Sequence, residues 1–466
     1  MVNVIQLGFG QQGKRNIEKL VSLVEEGYRI ELVAVSDINA NQFDNPVYKT
    51  KDGKPVNLKD AFPNARQYVG RSAGCVREHP NVDVVFDSTS TVWEGIDTHA
   101  ENMAAYLETK SASGRKVYAT EDMPTYAVEK PFTMSLALTT DLIKNFKQNG
   151  IYVLENAVES FTPTKIASVR DIERNQFDIL NVEYARMSAT QEKSAKTNRL
   201  MIQNFGGCWY DKMVHDVVKF LQTYYARYGR YPDASINNAD FDILDIITPS
   251  GKHSYVTRNG YFTNEFKHQN SLNESYSEAN ITMGSTQGWF ASSHLGIKEN
   301  HLDRIEGWFT PEIKRAVAEV ASKNGRSRKP EDVRASYGVN HLNIESRVER
   351  ITCKDKRGNL VRYLTETYPN TSFFTVKTID NQIDVLQEGW VDGHKEFIRN
   401  ALDISMNKEG VKPVIPADLI TVEAEILQRV DRVANRDRRD VIDLGDVKNG
   451  EFAKFLQEPL SKAKCW

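Results

Sequence analysis

The stretch Val4-Ile5-Gln6-Leu7-Gly8-Phe9-Gly10-Gln11-Gln12-Gly13 limits the fold of this chain more than any other. Val4 to Leu7 read as a short buried strand, and Gly8 to Gly13 fit the spacing GxGxxG. Ile17, Leu20, Val21 and Val24 then recur at helical spacing. Strand, glycine turn and helix in that order give each glycine a purpose. The first makes the tight turn, the second lets the backbone approach a pyrophosphate, and the third lets helix and strand pack closely. The helix start then turns free N–H groups and the positive end of its dipole toward the phosphates.

A second strand, Ile30 to Ser36, ends in Asp37, which lies 24 residues beyond Gly13. The offset expected for a ribose-binding acid is about 20. A carboxylate at that place accepts hydrogen bonds from both ribose hydroxyls and repels a 2′-phosphate. Ile38 and Asn39 add no cation for such a phosphate. The sequence therefore predicts NAD in preference to NADP. Asn81 to Thr89 read as a third buried strand ending in a polar turn, with Ser88 and Thr89 at its end. His99 to Leu107 read as a helix, Thr139 to Asn149 as another stopped by Gly150, and Ile151 to Leu154 as a further strand. This alternation predicts a Rossmann-type, doubly wound parallel sheet. Residues 41–72 and 109–126 carry little periodicity and read as surface excursions.

Composition excludes several classes. The chain has 466 residues, 40% hydrophobic and 26% charged, with a net charge of -3. That length implies two domains, and the balanced charge argues against nucleic acid as a partner. No apolar run approaches the roughly 18 residues of a membrane span, and the first strand begins too early for a leader peptide. Cys75, Cys208, Cys353 and Cys465 show no CxxC spacing and read as reduced thiols of a cytoplasmic protein. His253, His268, His294 and His301 match no ligand spacing, so no metal site is expected.

Three further motifs follow the glycine turn in order: the Asp37 strand end, Glu129-Lys130-Pro131, and Gly206-Gly207-Cys208-Trp209-Tyr210-Asp211-Lys212-Met213-Val214-His215. Together they resemble the glucose–fructose oxidoreductase/inositol dehydrogenase (Gfo/Idh/MocA) family. The resemblance covers residues 1–40 and 80–220, and extends more faintly to 393–439. It implies a Rossmann domain followed by an α/β domain with an open, mostly antiparallel sheet, with boundaries at 1–155 and 156–466. The C-terminal helix, 417–436, packs back on the first domain in this reading. The resemblance also implies a catalytic group of Lys130, Asp211 and His215. Cofactor contacts are expected from Gly8, Phe9, Gly10, Gln11, Gln12, Gly13, Asp37, Ser88, Thr89, His99, Glu129 and Lys130. A homodimer or homotetramer through the C-terminal sheet is implied as well.

The chemistry of these residue types agrees. Asp211 and His215 are four apart and share one face of a helix. A carboxylate beside an imidazole raises its pKa and sets its tautomer. Histidine then suits the task of taking the hydroxyl proton as hydride leaves the carbinol carbon. Lys130 offers a positive charge to the alkoxide-like oxygen, and Pro131 holds the turn rigid. The expected activity is NAD-dependent hydride transfer between nicotinamide and a secondary alcohol or ketone of a sugar, cyclitol or related polyol. The chain departs from the family pattern at Met213, Val218, Ser88-Thr89-Ser90 and Glu155 to Ser160, which leaves the substrate open. It also leaves open a redox-neutral lyase or glycoside-cleaving reaction with the same cofactor, and a non-catalytic dinucleotide-binding protein.

In the second domain, strands are expected at 179–187, 241–247, 279–283, 288–291, 343–352, 360–367 and 372–378. Helices are expected at 211–225, 311–324 and 420–436. The segment 293–340 reads as surplus to the family pattern.

Overall fold

The computed structural model describes residues 1–93, 95–112, 123–188, 214–231, 233–248, 251–269, 276–287, 307–333, 345–366, 373–389, 391–435 and 439–443. They form two units, Met1–Phe161 with Asp392–Glu425, and Thr162–Val391 with Ile426–Trp466.

In the first unit, β1 (Val2–Leu7) leads through the glycine turn into α1 (Gln11–Glu25), and β2 (Ile30–Asp37) follows. Then come β3 (Arg66–Val69), α2 (Ser72–Glu78), β4 (Val84–Asp87) and α3 (Thr98–Ala112). The series ends with β5 (Thr125–Val128), α4 (Leu136–Gln148) and β6 (Tyr152–Glu155). The strands lie in the order β6-β5-β4-β1-β2-β3, and every neighbouring pair is parallel. This is the doubly wound order, with its crevice where the winding reverses between β1 and β4. Ile17, Leu20 and Leu23 of α1 are fully buried against the sheet, each contributing about 1.5–3 kcal/mol.

Two segments differ from expectation. Residues 66–69 are the edge strand β3, although 41–72 reads as an excursion; its residues are mostly exposed, so no apolar alternation marks it. Thr125 and Tyr126, placed by pattern in the excursion 109–126, begin the buried strand β5.

The second unit opens with α5 (Pro163–Asn175), β7 (Asp178–Ser188) and α6 (Val214–Tyr228). Three long strands follow, β8 (Asp233–Thr248), β9 (Gly251–Gln269) and β10 (Tyr276–Gln287). Helix α7 (Pro311–Lys323) precedes β11 (Glu345–Lys354), β12 (Leu360–Glu366), β13 (Phe374–Ile379) and β14 (Gln382–Glu388). The sheet runs β14-β13-β12-β11-β7-β10-β9-β8, with short strands at Ala434–Asn435 and Arg439–Asp443 on β8. It is antiparallel except at the β7–β10 pair and at β8 with those two short strands. This is the open, mostly antiparallel sheet that the resemblance implies. Helix α7, inside the surplus segment, lays Ile313 and Val317 on Val348, Leu364 and Val376, so the apolar positions on that face are covered by the chain's own helix. The opposite face meets α5, where Asp171 accepts hydrogen bonds from Tyr363 Oη at 2.7 Å and Lys377 Nζ at 3.1 Å.

Beneath α6 lies a buried charge network. Lys165 of α5 binds Thr223 Oγ1 at 2.6 Å and pairs with Glu349 of β11, and all three side chains are essentially inaccessible. Asp216 and Lys219 of α6 pair at 3.1 Å, with Lys219 also 4.8 Å from the centre of the Tyr184 ring. Burial presses the Lys165 pKa down while Glu349 holds it up. Two lysines and two acids balance, as buried ions must.

The chain then returns to the first unit as α8 (Gly393–Ser405) and the first part of α9 (Ala417–Val433). Phe397 of α8 meets Phe161 and Phe86 with ring centres 5.3 and 6.2 Å apart. Ile398, Ala401 and Leu402 are buried beside it. Lys395 and Arg399 reach Glu26, and Lys19 pairs with Asp392 at 2.8 Å. Such partly exposed pairs contribute at most about 1 kcal/mol each, so apolar burial is what attaches this segment. A division of the chain at residue 155 does not separate it, because α8 comes from the far end of the sequence.

Two stability outcomes follow. A Cβ at Gly13 would sit 1.9 Å from the Gly8 carbonyl oxygen, whereas one at Gly10 meets nothing within 4 Å. Gly13→Ala should cost at least the ~1–3 kcal/mol of overpacking, lowering Tm by about 2–4 °C per kcal/mol, while Gly10→Ala leaves Tm in place; equal Tm values for the two would contradict this packing. Glu349→Ala, which strands Lys165, should cost about 3–5 kcal/mol in urea unfolding, and Lys165→Met with Glu349→Leu should recover most of it.

Candidate functional site

The glycine turn is built from beneath by polar side chains. Gln6 Nε2 donates to the Leu7 and Gly8 carbonyls at 2.8 and 3.1 Å, and Asn16 Nδ2 donates to Gln6 Oε1 at 3.2 Å and Ser88 Oγ at 3.0 Å. Gly8 has φ +75°, and a Cβ there would lie 2.6 Å from the Ser88 carbonyl oxygen. Only glycine lets the turn and the end of β4 approach this closely. Helix α1 begins after Gly10 with no side chain capping its first turn and no acid within it. Its first N–H groups and its dipole therefore stand ready for an anion.

Gly8, Gly10, Asp37, Ser88 and Thr89 line one cleft of about 210 Å³. Asp37 Oδ2 accepts from Phe9 N–H at 2.6 Å and Oδ1 from Asn39 N–H at 2.8 Å. These two bonds fix the carboxylate and leave further lone pairs for a ligand's hydroxyls. Phe9 reaches the site through its backbone; its ring is buried and stacks on Phe43 at 5.2 Å. Gln11 is exposed at the start of α1. The Gln12 side chain turns instead to His394 Nδ1 at 3.1 Å and Asn16 at 3.3 Å. The cradle, the open helix start and the carboxylate fit a dinucleotide.

Gly70, Arg71, Ser72, Thr98 and Glu101 also line this cleft, and sequence reasoning missed them. The glycine before a helix start at Ser72 was the available signal. Arg71 reaches Glu101 at 3.3 Å. Lys14 also faces Asp37, its pKa pressed down by partial burial against the pull of that carboxylate. Cations near Asp37 thus come from positions distant in sequence, where a reading of its immediate neighbours finds none.

Asp87 anchors the end of β4. Its Oδ1 accepts from Thr89 Oγ1 at 2.6 Å, and its Oδ2 from Tyr126 Oη at 2.7 Å and Asn102 Nδ2 at 3.0 Å. Burial and Asp87 push the Tyr126 phenol well up, so it remains a donor. His99 is fully buried, with Nε2 3.1 Å from the Thr89 carbonyl and Nδ1 3.1 Å from that of Pro131. It does not line the cleft; it ties the β4 end to the turn that carries Lys130. That turn contains the cis Lys130–Pro131 bond, and Glu129 accepts a hydrogen bond from Asn156 Nδ2. Lys130 itself is half-buried. His215 lies in the second unit, 6% exposed in the first turn of α6. Asp211, Met213 and the glycines before them lie outside the described residues, as do His294 and His301. Among the described residues no group of His, Cys, Asp and Glu is arranged to hold a metal ion, and no helix is long and apolar enough to cross a membrane.

No family model and no curated protein matches the sequence. Solved structures do match. Biliverdin reductase from Synechocystis sp. PCC 6803, in complex with biliverdin and NADP+, is 13% identical, with TM-score 0.55 over 93% of this chain and 99% of that one. The 3-ketoreductase KijD10 from Actinomadura kijaniata, in complex with NADP and TDP-benzene, is 11% identical, with TM-score 0.54 over 95% and 99%. The aldose-aldose oxidoreductase from Caulobacter crescentus, complexed with glycerol, is 11% identical, with TM-score 0.54 over 93% and 97%. At such identities the likeness is one of fold: this chain has the two-part α/β architecture of these reductases and oxidoreductases, the architecture its resemblance to the Gfo/Idh/MocA family implies.

Proposed function

We propose that the chain is a nicotinamide-dependent oxidoreductase, specifically one using NAD, that acts on a secondary alcohol or ketone of a sugar, cyclitol or related polyol. The observation that carries this reading is the uncapped start of α1 beside a cleft lined by Asp37, with glycine at Gly8 and Gly13, where a side chain would strike the neighbouring backbone. The aldose-aldose oxidoreductase among the structural neighbours supports the sugar class, and the 3-ketoreductase supports a ketone. NADP in two neighbours makes the cofactor choice a matter of this chain's own residues. Here the choice rests on Asp37, whose charge opposes a 2′-phosphate, and on Arg71, which Glu101 engages.

When bound, the nicotinamide ring accepts or gives the hydride. The residues of the chain do the rest. The first N–H groups of α1 hold the pyrophosphate, and Asp37 takes the ribose hydroxyls. Lys130 steadies negative charge on the substrate oxygen. His215 takes the hydroxyl proton in oxidation and returns it in reduction, and Asp211 is assigned as its orienting partner or a substrate contact.

Two measurements test this. Asp37→Ser should weaken NAD affinity about ten- to a hundredfold, the worth of hydrogen bonds to a charged group, and move the NADP-to-NAD ratio of affinities upward; an unchanged ratio would remove Asp37 from cofactor choice. The purified protein with NAD or NADP against sugars, cyclitols, amino sugars and nucleotide sugars should yield absorbance at the NADH band with one substrate class. Lys130→Met should cut that turnover about a hundredfold or more, and full activity in this variant would overturn its assigned role.

A further inference from the structure

The turn that carries Lys130 stands over two carboxyl groups that the proposed reaction does not use. Glu155 ends β6, paired in register with Val128, the residue before Glu129-Lys130-Pro131. Glu423 of α9, in the segment that returns from the far end of the chain, faces Glu155. Glu155 is 0% and Glu423 2% exposed. Among the described residues, neither oxygen of Glu155 nor Oε2 of Glu423 has a partner at full hydrogen-bond geometry.

The groups around the pair come from the Lys130 turn and from α3. Glu155 faces the Glu423 carboxyl, the Phe132 N–H, the Lys130 ammonium and His99 of α3, while the charged group facing Glu423 is Glu155. Two carboxyls facing each other out of contact with water cannot both ionise. One proton remains between them, and the surroundings decide where. Burial pushes the Glu155 pKa up as well, but the Glu423 carboxyl, the Phe132 N–H, Lys130 and His99 all pull it back toward the anion. Glu423 has burial and the Glu155 charge against its ionisation, and both push its pKa well up.

We propose that Glu155 and Glu423 are a one-proton carboxyl pair that positions Lys130. Glu423 keeps the proton and points it at Glu155. Glu155, the single anion, faces the Phe132 N–H and the Lys130 ammonium. The pair rests on the reading of Lys130 as the polarising cation, and its protonation can be measured without that reading.

The test uses the full chain with Glu155→Gln and Glu423→Gln, each close in shape to the residue replaced. Infrared difference spectra at neutral pH should show a protonated-carboxyl band in the wild type that Glu423→Gln removes and Glu155→Gln retains. Thermal unfolding gives a second readout. A carboxyl whose folded pKa is raised contributes its stability below its unfolded value, about 4.3, and loses it as pH rises toward the folded value. Glu423→Gln should therefore raise Tm at pH 8, with the gain shrinking toward pH 5. In turnover, Glu155→Gln should lower kcat by up to about a hundredfold, the cost of a misplaced group, with the KM for the dinucleotide unchanged. A band that survives Glu423→Gln would overturn the shared proton. A rise in dinucleotide KM matching the fall in kcat would make Glu155 a general support of the fold. Full activity in Lys130→Met beside the expected infrared result would instead sink the role of the lysine and leave the proton assignment standing.

Discussion

The Gly13 backbone lies against the Gly8 carbonyl, too close for any side chain at Gly13, and the crevice of the first unit depends on that contact. It sets how near α1 comes to β1, and so where the first turn of the helix points. Gly8 in turn lies against Ser88, which brings the end of β4 to the same spot. Gln6, itself held by Asn16, satisfies the Leu7 and Gly8 carbonyls that this crowding would leave buried and unpaired. A cleft with an open helix start thus follows from close backbone packing at Gly8, Gly13 and Ser88.

Periodicity made much of this readable. The strands β1, β2 and β4 are buried apolar runs, and α1 and α6 repeat their apolar residues at helical spacing, so pattern finds them. Edge strand β3 is Arg-Gln-Tyr-Val with mostly exposed positions, and β9 runs nineteen residues of largely polar sequence. Both are held by backbone ladders, which leave no imprint on side-chain type. The same limit applies at the site. Asp37 announces itself by its offset from Gly13, whereas Arg71 joins its cleft and Lys14 faces it only through folding. His99 was found by its place in the pattern, but its contacts with the Thr89 and Pro131 carbonyls make it part of the scaffold around Lys130.

The second unit meets a different problem. Helix α6 carries His215 and Asp216 in its first turn, and its next two turns carry Lys219 and Thr223 into the interior. A wholly apolar core would stabilise at least as well, since buried ion pairs seldom repay their desolvation. Apolar surfaces, however, tolerate sliding. A lysine from α5 that must meet both Thr223 of α6 and Glu349 of β11 admits one register of helix on sheet. The network thus fixes how far along its axis α6 lies, and with it the height of His215 on that helix.

Lys130 is placed by the same economy of means. Its turn has no regular structure to define it, so each of its groups is tied to a different element. Asn156 takes Glu129, His99 takes the Pro131 carbonyl, and Glu155 faces the Phe132 N–H. Those ties come from residues 99, 155 and 156, and Glu423 sets the charge of one of them. A lysine is long and loses much entropy when held; fixing its backbone first leaves only the side chain to be ordered. That is a physical reason for a segment more than 260 residues downstream of Glu155 to finish inside the first unit. It brings one buried carboxyl to face a second that can use its proton.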